Sequence, residues 1–459
     1  MIQVTGLGPG DFDRNPGPVR DLLLDAGKQL IIRTRDHPAA AQLESLRDNV
    51  VFCDDLYESQ ESFEAVYSAI ATRVIEAAEL GPVVYAVPGA ATIGEFAVRE
   101  ILSRRADVEV VPTESFVDAV LREVGYDPFD RGLQILNGHH LVDPVVIDKP
   151  TIVGHLDRPE VLADVAARLS RVLPETAEVT VLAGVGASDA VVWTGSLDEV
   201  ESSLAGVRTS LWIDTEPGGI IGAIRTMERL RAECPWDREQ THESLTKNLI
   251  EECFELIDAI AVLGPGGEIV DWVAYSGVEE ELGDVLLQVL FHAAIAREAG
   301  AFDIDDAAET LRQKLVRRHP HVFAGVEVAG AAEVKENWDQ IKREEKPGER
   351  PSALDGVPPG MPALHLASKL QNRAAKAGFE LPSPLDQVKT LLGDLELVSE
   401  QLDDPIPAGE TLGDLLFTLV SLSRRAGVDA EVALRRAAAR FESSFRAAEA
   451  DALADQTSD

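Results

Sequence analysis

Cysteine is scarce in this chain: three among 459 residues, at Cys53, Cys234 and Cys253. That number and that scatter exclude a disulfide framework and a cysteine-built zinc site, and fit buried or incidental thiols in a reducing compartment. Long apolar runs are missing as well. None approaches the roughly 20 residues that a helix needs to span a bilayer. The opening Met-Ile-Gln-Val-Thr-Gly enters a strand pattern at once, with no basic region and no cleavage site, so a cytoplasmic location is expected. Positive charge is the third shortage, with 42 lysines and arginines against 80 acidic residues and a net charge of −38. Such a surplus excludes nucleic acid and anionic membrane as direct partners. It does not exclude nucleotides, because a cation such as Mg²⁺ bridges acidic protein to polyphosphate.

The shortage is sharpest between Lys247 and Arg297, where ten acidic residues stand with no lysine or arginine among them. Six of the ten fall in two clusters: Glu251-Glu252-Cys253-Phe254-Glu255 with Asp258 one turn on, and Glu281-Leu282-Gly283-Asp284. Residues three and four apart share a helix face, so each cluster projects several carboxylates together. Around 249–261 the acids lie opposite Leu249, Ile250, Cys253, Phe254, Ile257, Ile260 and Ala261, as on any solvated amphipathic face. From 282 to 295 the pattern differs. The segment is apolar nearly all round, and Glu281, Asp284 and Gln288 form a narrow polar strip. Carboxylates on a mostly buried helix need partners, since an unpaired buried charge costs several kcal/mol. A divalent cation with oxygen ligands is the partner that spacing and charge favour.

Further motifs surround these clusters. Cys234-Pro235-Trp236-Asp237 and Gln240-Thr241-His242 precede them; Arg317-Arg318-His319-Pro320-His321-Val322-Phe323 and Trp338-Asp339-Gln340-Ile341-Lys342 follow. In this order, and from about Thr226 to Lys346, the segment resembles the MazG nucleoside triphosphate pyrophosphohydrolases. The resemblance implies an all-helical, Mg²⁺-dependent (Mn²⁺ also serving) hydrolase that converts nucleoside triphosphates to monophosphates and pyrophosphate. It implies Glu252, Glu255, Glu281 and Asp284 as metal ligands. Glu251 is either a further ligand, for a second ion, or the base that orients water; one ion or two both remain open. Arg318 and Lys342 are implied phosphate contacts, and Lys247, one turn before Glu251, is a further substrate candidate. Trp236 either stacks on a base or anchors packing. His242, His319 and His321 are read as hydrogen-bonded structural residues, since hard Mg²⁺ prefers oxygen.

The length suggests about two to four domains. Apolar runs at 3–6, 29–32, 83–86, 108–111, 151–153, 179–182 and 210–213, separated by helical stretches such as 61–80, predict an α/β domain over 1–215 with a largely parallel sheet. Beyond the Glu216-Pro217-Gly218-Gly219 turn, helical periodicity takes over. A Pro/Gly-rich linker, 346–362, separates 226–346 from a further helical segment, 363–452. There Gly413-Asp414-Leu415-Leu416 echoes Gly283-Asp284-Val285-Leu286, which signals an internal duplication. Thr411 replaces Glu281, while Gly393, Asp394 and Leu397 stand near the places of Glu251, Glu252 and Glu255. A slip of one residue brings Asp394 or Glu396 to a ligand position, never both. The second copy is therefore expected to be structural, completing a bundle or the interface of a homodimer or higher homo-oligomer.

In the first domain, Gly6-Leu7-Gly8-Pro9-Gly10-Asp11 after the first strand, Ala86-Val87-Pro88-Gly89, and Val111-Pro112-Thr113-Glu114-Ser115 resemble the tetrapyrrole methylase fold. The resemblance implies S-adenosylmethionine binding around Gly6, Gly8, Gly10 and Gly89, and its fusion to a MazG segment is a bifunctional arrangement. The sequence departs from the family at Gly89-Ala90-Ala91 and at Pro112-Thr113-Glu114, where residues placed around the cofactor are replaced. The fold is thus expected to hold, and S-adenosylmethionine is expected to bind weakly or not at all. Two rival readings follow: a methyltransferase whose helical part only assembles the oligomer, and a sensor that binds nucleotide without turnover.

Overall fold

The computed structural model describes residues 1–60, 62–263, 271–345, 352–401 and 405–456. The chain divides into two compact units, Met1–Thr226 and Met227–Asp459.

The first unit begins with five short strands rich in β-branched residues. They are β1 (Ile2–Gly6), β2 (Gln29–Ile32), β3 (Val50–Phe52), β4 (Val83–Val87) and β5 (Val108–Val111). They form a parallel sheet in the order β3-β2-β4-β1-β5, with Gly6 in register with Val87. Val83, Tyr85 and Val87 point into one apolar cluster, with Ile70 and Val74 of the helix Phe63–Leu80. Val84 and Ala86 point into another, with Leu23 and Leu43. Helices therefore cover both faces, which is why these strands read as apolar runs rather than alternating ones. The helix expected over 61–80 starts at Phe63, capped by the Ser62 side chain, which accepts from Ala65 N–H at 3.2 Å; Glu61 lies outside the described residues.

A second sheet follows, and here the expectation of a largely parallel sheet needs correcting. Its strands are β6 (Gln134–Asn137), β7 (Thr151–Gly154), β8 (Glu178–Ala183), β9 (Val191–Ser196) and β10 (Thr209–Ile213), in the order β6-β7-β10-β8-β9. Only β6 and β7 run parallel. β10 is antiparallel to both its neighbours, and β8 and β9 form an antiparallel pair. All seven expected strands are present. The three additional ones, β3, β6 and β9, each lie at a sheet edge.

Beyond Ile213 the described residues contain helices and no strand. After Gly219–Glu233 and the short Pro235–Glu239 come α1 (Thr246–Val262), α2 (Trp272–Glu298), α3 (Ile304–Arg318) and α4 (Ala331–Glu344). The Asp271 side chain caps α2, and Asp303 with Asp306 makes a capping box on α3. The second segment supplies α5 (Ala363–Lys376), α6 (Pro384–Gln401), α7 (Pro405–Arg425) and α8 (Ala430–Gln456). The linker call at Lys346-Pro347-Gly348 lies outside the described residues. Helices α1 and α2 pack as a hairpin, and α6 with α7 repeats the arrangement.

The expectation that α2 is mostly buried holds for only half of it. Leu290, Phe291, Ala293, Ala294 and Ala296 are buried, but Leu282, Leu286, Leu287 and Val289 are exposed, since nothing among the described residues covers them. Among the described residues no helix is long and apolar enough to cross a membrane. The cysteines are unpaired: Cys53 is buried, which pushes its thiol up to about 11, while Cys253 is exposed.

Candidate metal and nucleotide site

The α1–α2 hairpin brings the two acidic clusters together. One carboxylate oxygen each from Glu252, Glu255 and Glu281 lies within 4.8 Å of the others, the one such group of three among the described residues. Antiparallel packing sets the register. The charge acting most strongly on Glu252 is that of Asp284, and on Glu281 that of Glu255, so 252 faces 284 as 255 faces 281. Burial, then the charge of Asp284, pushes the Glu252 carboxyl above its ordinary range. Burial, then Glu255 and Asp284, does the same to Glu281. Glu281 Oε2 is buried and has no hydrogen-bond partner among the described residues, an expensive arrangement for an acceptor. Glu251 stands outside the trio, 3.4 Å from the Lys247 ammonium on the solvent side.

The cations expected at this site are placed as follows. Lys247 is 81% exposed and engages only the neighbouring turn, at Glu251. Arg318 makes a two-pronged contact with Glu345, which Arg317 also meets at 2.7 Å. Hydrogen bonds from Arg318, then from Arg317, hold the Glu345 carboxyl down to about 2. The Arg318 guanidinium lies 5.3 Å above the Trp338 ring, in cation–π range. Lys342 is one turn further along α4, exposed. Trp236 is 57% exposed and meets Phe291 edge-on at 6.4 Å. Trp338 is thus the indole beside a cation, and sequence reasoning gave it no role. Arg318 and Trp338 are 20 positions apart on different helices, so no local spacing announces the pair.

Of the three histidines, His242 and His319 make hydrogen bonds, and His321 meets the His319 ring edge-on at 5.6 Å. His242 Nδ1 lies 2.8 Å from Nδ1 of His292, a residue the motifs did not flag. One ring donates and the other accepts, so the pair holds one shared proton between those atoms. Burial, then the charge of His242, pulls His292 below its ordinary value. His319 Nδ1 sits 2.7 Å from the Leu315 carbonyl.

In the second copy Thr411 bonds Gln401 Oε1 at 2.9 Å and the Pro407 carbonyl at 3.1 Å, while Gln387 donates to Ser421 at 2.7 Å. At the place of Glu281 the second copy thus has a neutral hydroxyl held by hydrogen bonds.

In the first unit the glycines serve loop-to-loop packing. Gly8 and Gly89, both at positive φ, exchange two backbone hydrogen bonds of 3.0 Å. A Cβ on Gly6 would stand 1.9 Å from the Gly89 carbonyl oxygen, and one on Gly10 would stand 1.7 Å from that of Gly186. His37 is buried with Nε2 3.0 Å from the Gly8 carbonyl. The cavity beside these loops has a volume of about 90 Å³, and the Arg33–Glu95 ion pair, 3.2 Å long, lines it.

Comparison with known proteins agrees with this geometry. The family described as "MazG nucleotide pyrophosphohydrolase domain" matches residues 240–323, which span both acidic clusters. "Nucleoside triphosphate pyrophosphohydrolase/pyrophosphatase MazG" of Thermotoga maritima is 43% identical over 225 residues, 49% of this chain and 82% of that protein. The chain belongs to the MazG family. "Nucleoside triphosphate pyrophosphohydrolase" of Escherichia coli K12 is 39% identical over 231 residues, 49% of this chain and 84% of that one. Ahead of the MazG segment, residues 1–201 match "Tetrapyrrole (Corrin/Porphyrin) Methylases". "Uncharacterized protein YabN" of Bacillus subtilis is 37% identical over 394 residues, covering 81% of this chain and 76% of its own length, so the likeness reaches well beyond the MazG segment.

Proposed function

We propose that this chain hydrolyses nucleoside triphosphates to the monophosphate and pyrophosphate in a Mg²⁺-dependent reaction carried by residues 226–346. Membership of the MazG family and the activities named for the T. maritima and E. coli relatives support the hydrolase reading. The observation that carries the site is the meeting of Glu252, Glu255 and Glu281 within 4.8 Å, with Glu281 Oε2 buried and unpartnered. An anionic, all-oxygen donor set fits a hard divalent cation, Mg²⁺ or Mn²⁺. Glu252, Glu255, Glu281 and Asp284 would hold it. When bound, the cation neutralises phosphate charge and aligns water with the bond to the leaving pyrophosphate.

The remaining work falls to protein groups. Glu251, outside the trio, orients the attacking water. Lys247 leaves Glu251 readily for a phosphate, since an exposed pair one helical turn apart is worth only about 0.3–0.5 kcal/mol. Arg318 presents a planar fork that suits phosphate as well as carboxylate, so a triphosphate takes the place of Glu345. Trp338 backs that fork, Lys342 adds charge beside it, and Trp236 offers an exposed ring to the base. The second copy, 363–452, contributes no ligand set. The uncovered apolar stripe of α2, Leu282 to Val289, supports assembly with a second copy of the chain.

The test is to incubate pure protein with mixed nucleoside triphosphates and Mg²⁺ and to assay monophosphate and pyrophosphate. Equal yields of the two are expected. Glu252→Gln and Asp284→Asn, each isosteric, should cut turnover by at least about 100-fold while leaving helical content intact. Orthophosphate as the product, or full activity in both variants, would overturn the assignment.

The first unit reads as a methylase fold without a full methyl-donor pocket. A cavity of about 90 Å³ is well below the roughly 300 Å³ at which ligand pockets begin. The loops that would cradle S-adenosylmethionine are instead bonded to one another.

A further inference from the structure

The stretch 248–296 holds no lysine or arginine, so any cation that steadies its acidic face must come from elsewhere in the chain. One does, from the second copy. Arg435 on α8 sets its guanidinium 4.4 Å above the Phe254 ring of α1. Its Nη1 lies 3.4 Å from Asp258 Oδ1, and its Nε lies 3.4 Å from Glu431 on its own helix. The Arg435 side chain is three-quarters buried. Asp258 continues the row of Glu251 and Glu255 along α1, and Phe254, one turn before it, stands at the border between that row and the apolar face.

We propose that Arg435 is a positioning residue for the carboxylate site, and that the second copy holds the ligand-bearing helix in rotation and register through it. The argument is geometric. A helix turns as a rigid rod, so fixing Phe254 from above and Asp258 from the side fixes the direction in which Glu255 and Glu252 point. A cation over an aromatic face and against a carboxylate, shielded from water, is stiffer than an exposed ion pair. Arg435 also offsets one charge of the row Glu251, Glu255 and Asp258, whose mutual repulsion would otherwise turn or fray α1. The second copy carries no complete ligand set, yet its α8 packs against the first copy's ligand helix. This inference rests on the metal reading above.

The experiment measures Mn²⁺ binding directly, by calorimetry and electron paramagnetic resonance, together with the Mg²⁺ dependence of triphosphate hydrolysis on the full chain. Arg435→Gln should weaken Mn²⁺ binding and raise the half-saturating Mg²⁺ concentration by about tenfold, with the KM for nucleotide little changed. Arg435→Lys should recover part of the loss, because it keeps the charge and loses the plane. Asp258→Asn should shift metal affinity in the same direction, and the double variant should be no worse than Arg435→Gln alone. Wild-type metal affinity in both Arg435→Gln and Asp258→Asn would overturn the proposal. If Arg435→Gln fails to fold, Arg435→Lys and Asp258→Asn decide between the same outcomes. Mn²⁺ binding by the wild type, lost in Glu252→Gln, keeps the metal reading standing even where Arg435 proves irrelevant.

Discussion

His242 and His292 show what a single contact adds to a reading built on motifs. Gln240-Thr241-His242 marks His242 as a residue of interest, yet nothing in the chain around 292 identifies its partner, because the two lie 50 positions apart. Their Nδ1 atoms are 2.8 Å apart, a distance that two imidazolium rings cannot keep. The native fold therefore favours neutral His292, whose titration is pulled down by burial and by His242. The sign follows from linkage. Below about pH 6.5 the unfolded chain takes up a proton that the native chain resists, so this contribution is fully present above that value and is lost as pH falls through the native one. The denaturation midpoint should decline as the pH falls below about 6.5, and His292→Gln should flatten that part of the profile. An unchanged slope in the variant would remove the pair from the account. The glycines divide by a similar argument. Gly10→Ala meets a backbone oxygen at 1.7 Å and should cost about 2–3 kcal/mol in urea unfolding of the first unit. Gly8→Ala, strained mainly by its positive φ, should cost about 1–2 kcal/mol.

At the scale of elements, legibility followed position in the fold. Seven strands announce themselves because six of them, all but β5, run between two neighbours and are packed on both sides, which demands unbroken apolar runs. The three that the sequence conceals are edges. Val50–Phe52 is only three residues long, and the outer strands β6 and β9 are largely half-exposed or exposed, so their patterns carry little apolar signal. Strand direction was hidden for a different reason: whether β10 runs with or against β7 and β8 depends on long connections. The helix hairpins were the clearest features, since a period of 3.6 and clustered acids are local. Burial of α2 was overestimated because an apolar helix looks the same whether its own chain or another molecule covers it. The duplicated hairpin invites a direct comparison. Thr411→Ala and Asp414→Asn should leave hydrolysis within about twofold of wild type, whereas Asp284→Asn should lose at least about 100-fold. Equal losses from Asp414→Asn and Asp284→Asn would make the second copy a working site.

For the whole molecule, the division at Thr226 separates a unit with two sheets from a helical one. The fragment 1–226 contains both sheets and their cores, and should fold without the helical unit. Titrating it with S-adenosylmethionine in a calorimeter should give no heat of binding; a micromolar Kd, about −8 kcal/mol, would reopen methyl transfer. The full chain with that fragment removed should retain pyrophosphohydrolase activity, measured as before. The sequence reached the family because it is written in short, ordered motifs. It did not reach the packing of the glycine loops, since only the folded chain brings the Gly89 carbonyl against Gly6 and that of Gly186 against Gly10.

The strand order carries a consequence for how this chain comes into being. β1 lies inside the first sheet, between β4 and β5, with Ile2 in register with Val83 on one side and Val108 on the other. β1 is therefore synthesised before either of its neighbours and has to wait for both. One side of it must wait for more than 80 residues and the other for more than 100, while β2 and β3, only some 20 residues apart, can pair early. Such pairing carries a large loop-closure cost before any contact repays it. β1 should thus stay solvent-accessible until residues 83–111 have been made, and a binder of nascent apolar segments would meet it in that interval.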